Sequence, residues 1–145
     1  MSALDPPTES VVARRKDHQA PKDFCADLFA YLGGIIRDMD GTALIVNGTA
    51  DHVHILLRIR PAQSSAQIVR VVKANSSRWV HETWNSKFAW QTGYGVFSVS
   101  ESNVAAVTKY IAEQAEHHQK HSFEEEFAAF LVKNNVAYDK RYIWD

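Results

Sequence analysis

A predicted β-hairpin is the feature of this sequence that most restricts its fold. Residues 44–46 are apolar and predict a first strand, and residues 51–60 predict a second strand that ends at Pro61. The dipeptide Asn47-Gly48 between them is typical of a tight hairpin turn. Because an isolated hairpin is marginally stable in water, other elements of the chain must cover one of its faces.

Those other elements are predicted from apolar spacing and helix-capping residues. They are, in order, a helix over residues 22–37, the hairpin, a helix from Ser64 or Ser65 to about Trp84, a strand over 95–99, a helix capped by Ser100 or Ser102, and a final helix from Ser122. This order predicts the α+β class, with a small antiparallel sheet covered by helices.

The opening segment is predicted to be poor in strand. Residues 1–21 contain three prolines and a short apolar run, Val11-Val12-Ala13, ahead of Arg14-Arg15-Lys16. We therefore expect a poorly ordered or truncated segment over residues 1–21, followed by one folded domain over residues 22–145.

Composition excludes some classes of protein and leaves others open. No apolar run approaches the roughly 20 residues needed to cross a bilayer, and no signal-peptide segment is recognisable, so a cytoplasmic protein is expected. The net charge of −1 does not by itself indicate nucleic acid as a partner. Basic residues are concentrated in the middle of the chain, however, where Lys73 and Arg78 lie on the solvent side of the second predicted helix.

Two histidines on the second strand of the hairpin are candidate metal ligands. Strand alternation places His52 and His54 on one face, opposite an apolar face, so that their imidazoles lie side by side. Neutral imidazole is the commonest metal ligand in proteins. The alternative is a pair of partly exposed histidines on a half-polar strand, and spacing alone does not exclude it.

Tyr110 and Gln114 are a second candidate pair. They are four residues apart on a predicted helix and therefore share one of its faces. A phenol can act as a nucleophile at phosphorus, and an amide oxygen suits Mg²⁺ or Mn²⁺. The alternative is an ordinary amphipathic helix with a half-buried tyrosine. Similarly, the aromatic residues of 88–94 can stack on unpaired bases or pack in the core.

Several sequence blocks together resemble the insertion-sequence-200-like family of single-tyrosine HUH transposases, over residues 30–145. The blocks are Tyr31-Leu32-Gly33-Gly34-Ile35, Val46-Asn47-Gly48, Asp51-His52-Val53-His54, Phe88-Ala89-Trp90-Gln91, Gly93-Tyr94-Gly95, Phe97-Ser98-Val99-Ser100, Tyr110-Ile111 with Gln114, Glu116-His117-His118, and Ser122-Phe123 with Glu125-Glu126-Phe127.

This resemblance implies a function and a site. It implies a ferredoxin-like or RRM-like HUH fold in which a C-terminal helix carries the nucleophile Tyr110. His52, His54 and Gln114 would hold Mg²⁺ or Mn²⁺, and single-stranded DNA would be cut and rejoined through a 5′-phosphotyrosine. The expected partners are hairpin-bearing single strands and a second copy of the chain.

Candidate contacts to the DNA backbone are chosen for their charge, without a motif that fixes them. They are Lys73, Arg78, Arg14 and Lys16.

One departure from the family pattern leaves alternatives open. The family begins with a longer apolar strand than Val11-Val12-Ala13, and that strand would lie beside the histidine strand. A catalytically decayed or domesticated protein that still binds hairpin DNA is therefore the second hypothesis. A small RNA-binding sheet domain is the third, and the absence of an RNP-type aromatic run counts against it.

Overall fold

The computed structural model describes residues 8–14, 22–48, 52–60, 63–84, 88–91 and 93–113. The elements are β1 (Thr8–Arg14), α1 (Lys22–Asp38), β2 (Thr42–Gly48), β3 (His52–Arg58), α2 (Ser65–Thr83), β4 (Gly95–Val99), a 3-10 turn (Glu101–Asn103) and α3 (Val104–Ala112).

The four strands form one antiparallel sheet in the order β2-β3-β1-β4. The chain order β1-α1-β2-β3-α2-β4 is that of a ferredoxin-like unit. Helices α1 and α2 cover one face of the sheet, and α3 packs over β2 and β3 on the other face. The predicted α+β class and helix-covered antiparallel sheet are confirmed.

Both large helices follow from the sequence pattern. Leu28 and Leu32 are four residues apart in α1 and fully buried against the sheet, as the apolar spacing predicts. Ser64 begins α2 through a capping box, because its hydroxyl accepts from the Gln67 amide while the Gln67 side chain accepts from the Ser64 amide. Among the described residues, no helix is both long and apolar enough to cross a membrane.

The expectation of a strand-poor opening is wrong for residues 8–14. They form β1, which pairs with β3 on one edge and β4 on the other. Val11 and Val12 are both buried, on opposite faces of the sheet. A central strand covered on both faces lacks the alternation of a half-exposed strand, and two neighbours satisfy its backbone. Residues 8–14 therefore belong to the same domain as the helices, whereas residues 1–7 and 15–21 lie outside the described residues.

The predicted hairpin is present, but Asn47 and Gly48 are the last residues of β2 and do not form its turn. Asn47 pairs with His54 and Gly48 with Val53. A Cβ at position 48 would collide with the His52 carbonyl oxygen and lie 2.9 Å from the Val53 Cα, so only glycine permits this close approach. Residues 49–51, which connect the two strands, lie outside the described part of the chain.

A bulge in β2 changes which face its residues occupy. The register shifts between Ala43 and Ile45, so that Leu44 is the extra residue. Before the bulge Ala43 packs towards α1 and α2, and after it Ile45 packs with Leu44 towards α3. Asn47 has the phase of Ile45 and therefore faces α3; without the bulge it would face the opposite layer.

The start of α3 differs from the prediction. A 3-10 turn separates Ser100 from the helix, so Asn103 is the residue that precedes α3, and it makes no side-chain capping hydrogen bond. The predicted caps Ser100 and Ser102 instead lie 3.1 Å apart, hydroxyl to hydroxyl. The predicted helix from Ser122 lies outside the described residues.

Candidate active site

The histidine pair lies on the face of β3 that α3 covers. His52 and His54 are both 0% exposed, and their ring centroids are 5.1 Å apart with planes at 87°. The predicted side-by-side arrangement is confirmed, but the alternative of partly exposed histidines is wrong. Burial between a strand and a helix restricts the rotamers of both imidazoles and removes them from bulk water.

Tyr110 on α3 reaches the same place. Its ring centroid is 6.0 Å from that of His54, with planes at 89°, and the residue is 7% exposed. Because α3 also buries Val107 and Ile111 against the sheet, the face of the helix that carries Tyr110 is fixed. Two imidazoles and a phenol from distant parts of the sequence therefore meet within one chain.

Polar contacts hold both ends of α3. At its C-terminal end, Asn47 Nδ2 donates to the carbonyl oxygens of Ile111 at 2.9 Å and Ala112 at 3.3 Å. At its N-terminal end, the Arg58 guanidinium lies 3.4 Å from the carboxylate of Glu101 in the 3-10 turn. Arg58 Nε also donates to Thr8 Oγ1 at 3.2 Å. These contacts join α3 to three strands of the sheet.

The donor chemistry of the pair fits a divalent metal ion in part. Two neighbouring imidazoles in a buried site can supply two nitrogen ligands to such an ion. The described residues contain no group of three or more His, Cys, Asp or Glu side chains arranged for a metal. Gln114, the third predicted ligand, lies just beyond the described residues. The described part of the chain thus offers two imidazoles as potential ligands, and any further ligand would have to come from elsewhere.

The predicted DNA-contacting residues do not form one surface. Arg14 lies directly across from His52 on the neighbouring strand and so shares its face. Lys73 and Arg78 are on α2, in the layer on the opposite side of the sheet. Lys16 is outside the described residues. Among the three candidates that lie in the described part of the chain, Arg14 is the one that the fold brings to the histidine pair.

Lys73 has internal partners. Its Nζ donates to the carbonyl oxygens of Gln91 at 2.9 Å and Gly93 at 2.6 Å, and it lies 5.7 Å from the centre of the Tyr94 ring. Burial lowers the pKa of Lys73 below its usual value, because desolvation penalises the charged amine. Lys73 therefore joins α2 to the segment before β4.

The aromatic residues before β4 pack in the core. Phe88 is buried beside Phe24, and the Trp90 indole donates to Ser76 Oγ at 3.0 Å. This supports the core-packing alternative for Phe88 and assigns Trp90 an internal partner on α2.

Sequence reasoning did not identify Asn47, Arg58 and Glu101 as residues that hold the site together. The Asn47-Gly48 pair predicts a turn, and the apolar run before it gives no sign of the bulge at Leu44. Arg58 and Glu101 are 43 positions apart, so no sequence spacing connects them. Their common signal is polar character at the borders of predicted elements, which is also typical of ordinary surface residues.

Comparison with known proteins assigns the family. A family model described as "Transposase IS200 like" matches residues 11–114, which is more than half of the 145 residues. The chain therefore belongs to the IS200-like transposase family, a family of DNA transposition, as its resemblance indicated.

Particular relatives agree with this assignment. The ISDra2 transposase TnpA of Deinococcus radiodurans is 32% identical over 72 residues, covering 44% of this chain and 51% of that protein. The chain thus spans about half the length of this curated relative.

Two solved structures share the fold. A Deinococcus radiodurans R1 protein described as a transposase has a TM-score of 0.63 at 21% identity, over 79% of this chain and 95% of the other. A REP-associated tyrosine transposase bound to a REP hairpin has a TM-score of 0.63 at 12% identity, over 90% of this chain and 85% of the other.

Proposed function

We propose that this transposase cuts and rejoins single-stranded DNA through a covalent link to Tyr110, at a divalent metal site that contains His52, His54 and Gln114. The observation that carries the proposal is the meeting of Tyr110 with the histidine pair, at 6.0 Å between the ring centroids of Tyr110 and His54. A phenol held beside two imidazoles that could hold a metal ion is well placed to attack a phosphate bound at the same site.

In the proposed reaction the Tyr110 phenol loses its proton, and its oxygen attacks the scissile phosphorus. The bond between phosphorus and the 3′ oxygen breaks, that oxygen takes up a proton, and the 5′-phosphate stays attached to the tyrosine. Attack by a 3′-hydroxyl on this phosphotyrosine reverses the step and rejoins DNA without ATP. Mg²⁺ or Mn²⁺, when bound, stabilises the negative charge on the phosphoryl oxygens in the transition state.

The residues of this chain contribute positioning and exclusion of water. The sheet and α3 hold the phenol beside the imidazoles, so that little conformational freedom is lost when the phosphate binds. Arg14, directly across from His52, supplies a positive charge next to the phosphate site. The structural neighbour bound to a REP hairpin supports hairpin-bearing DNA as the substrate class.

A homodimer is part of the proposal. With one nucleophilic tyrosine in each chain, one site holds one covalent strand, and the exchange of two DNA ends needs two sites. Sedimentation of the purified protein should therefore give twice the mass of the chain, and a monomer in the presence of hairpin DNA would contradict this part.

The decisive experiment uses single-stranded hairpin DNA taken from the flanks of the gene. The DNA carries a label at its 3′ end, because the fragment that stays on the tyrosine retains that end. After incubation with Mg²⁺ or Mn²⁺, a denaturing protein gel should show a labelled protein band. Tyr110→Phe should abolish the band, since the variant lacks the attacking oxygen.

Tyr94→Phe is the matched control, because Tyr94 packs with the opposite layer of the sheet and should keep the band. A shift on a native gel with no covalent band would contradict the catalytic proposal and support a protein that binds hairpin DNA without cutting it.

A further inference from the structure

We infer that Asn47 is a positioning residue that holds the last turn of α3 against β2, the neighbour of β3, and thereby keeps Tyr110 beside His54. The catalytic part of this inference rests on the proposed function, and the structural part does not. Asn47 lies on β2, pairs with His54, and reaches the two carbonyl oxygens that follow Tyr110 on α3.

The hydrogen bonds at the end of α3 explain why this contact matters. The last carbonyl groups of a helix lack partners within the helix. The Glu113 amide donates to the carbonyl oxygens of Lys109 and Tyr110, at 3.1 and 3.3 Å, and it is also directed at that of Ile111. The carbonyl oxygens of Ile111 and Ala112 accept from Asn47, at 2.9 and 3.3 Å. The sheet thus supplies hydrogen bonds to the last two carbonyl groups of α3.

The chemistry of the contact selects an amide. Both partners are acceptors, so the group facing them must donate, and the NH₂ of asparagine has a hydrogen for each carbonyl. An aspartate would place a negative charge against the negative end of the helix dipole. A leucine has a similar size and no donor.

The bulge at Leu44 also contributes to this positioning. It shifts the phase of β2 so that Asn47 lies on the same face as His54 and α3. The register between β2 and β3 therefore places Asn47 beside His54, on the face where α3 carries Tyr110. Because α3 spans nine residues, it is too short to be stable without such contacts.

The test compares Asn47→Leu with Gln63→Leu in the full chain. Gln63 is the matched control, because its Nε2 also donates to a backbone carbonyl, that of Met39, at 2.5 Å, but on the α1 side of the molecule. Three measurements are made on each variant: hydrogen exchange of the amides in residues 104–113, the rate of covalent adduct formation at saturating hairpin DNA, and the affinity for hairpin DNA on native gels.

For Asn47→Leu we expect exchange in residues 104–113 to become about tenfold faster, through loss of two hydrogen bonds. The adduct rate should fall about 10-fold to 100-fold, because small displacements of a reacting group are costly. Hairpin affinity should not change, which separates positioning from a general loss of structure. Gln63→Leu should leave both α3 exchange and the adduct rate as in the wild type.

Other outcomes separate this inference from the proposed function. Unchanged exchange in residues 104–113 of Asn47→Leu overturns the inference. If the wild type forms no adduct, the proposed function fails, and exchange alone decides the role of Asn47. If Asn47→Leu does not fold, Asn47→Thr replaces it, because threonine favours strands and cannot reach both carbonyls. The same increase in exchange is then expected, and its absence overturns the inference.

Discussion

The two faces of the sheet bury different kinds of side chain. On the α1 and α2 face, Val53, Ile55 and Leu57 of β3 meet aliphatic and aromatic residues of both helices. On the α3 face, the intervening residues His52 and His54 meet a short helix that carries a tyrosine. Alternation along β3 thus places apolar side chains of the larger core on one face and the two histidines on the other.

The two faces also differ in how their helices are held. Helices α1 and α2 are long and amphipathic, and their apolar sides determine where they lie. Helix α3 is short and has fewer buried apolar partners, so polar contacts at both of its ends add to its packing. Mutations on the two faces should therefore change different measurable quantities.

The largest effect on stability is expected from Leu32→Ala, on the α1 and α2 face. Leu32 is fully buried, and its truncation should lower the free energy of unfolding by about 2–5 kcal/mol. Urea unfolding followed by circular dichroism measures this change. A loss below about 1 kcal/mol would mean that this face is not the main source of stability.

A metal ion is expected to act through the other face. If His52 and His54 bind Mg²⁺ or Mn²⁺, a metal concentration of about 100 times Kd should raise the free energy of unfolding by about 2.7 kcal/mol. Thermal unfolding of the DNA-free protein with and without metal measures the effect. His54→Leu should lose the response, because it removes one ligand.

His81→Leu is the control for the metal experiment. His81 is on α2, where its Nε2 lies 2.6 Å from the Phe88 carbonyl oxygen, and the variant should respond to metal as the wild type does. Equal responses in His54→Leu and the wild type would show that the metal binds elsewhere.

The smallest effect is expected from Glu101→Gln, at the N-terminal end of α3. The Arg58 and Glu101 side chains are 33% and 45% exposed, so water and salt screen their interaction. Its loss should lower the free energy of unfolding by about 0.2–1 kcal/mol, and less at high salt. Chemical denaturation at low and high salt checks both expectations. A larger, salt-independent loss would mean that this contact matters as much as packing does.

Much of the fold could be predicted from local patterns. The spacing of Phe24, Leu28 and Leu32 predicts α1, the capping box at Ser64 marks the start of α2, and the alternation in residues 51–60 predicts β3 with its histidines on one face. These features depend on neighbours within about one helical turn or a few strand residues, which the sequence displays directly.

β1 could not be predicted in the same way. Its burial on both faces depends on β3, β4 and the helices, all distant in the sequence. The family begins with a strand beside the histidine strand, and the expectation that this chain has a truncated segment there is wrong, because β1 pairs with β3 over Thr8–Arg14. Thr8 and Ser10 are buried in the α3 layer although their side chains are polar. The sequence of β1 therefore lacks the continuous apolar run that would predict a buried strand.

The sequence by itself determined the three described helices, the two strands of the hairpin, the side-by-side histidines and the family, because each rests on local periodicity or on short blocks of residues. Tertiary structure alone decided that Tyr110 lies beside His54 within the same chain, that the bulge turns Asn47 towards α3, and that Lys73 makes an internal contact. These outcomes depend on strand register and on the packing of elements far apart in the chain. A shift of one residue in register moves a side chain to the opposite face, and no local pattern records such a shift.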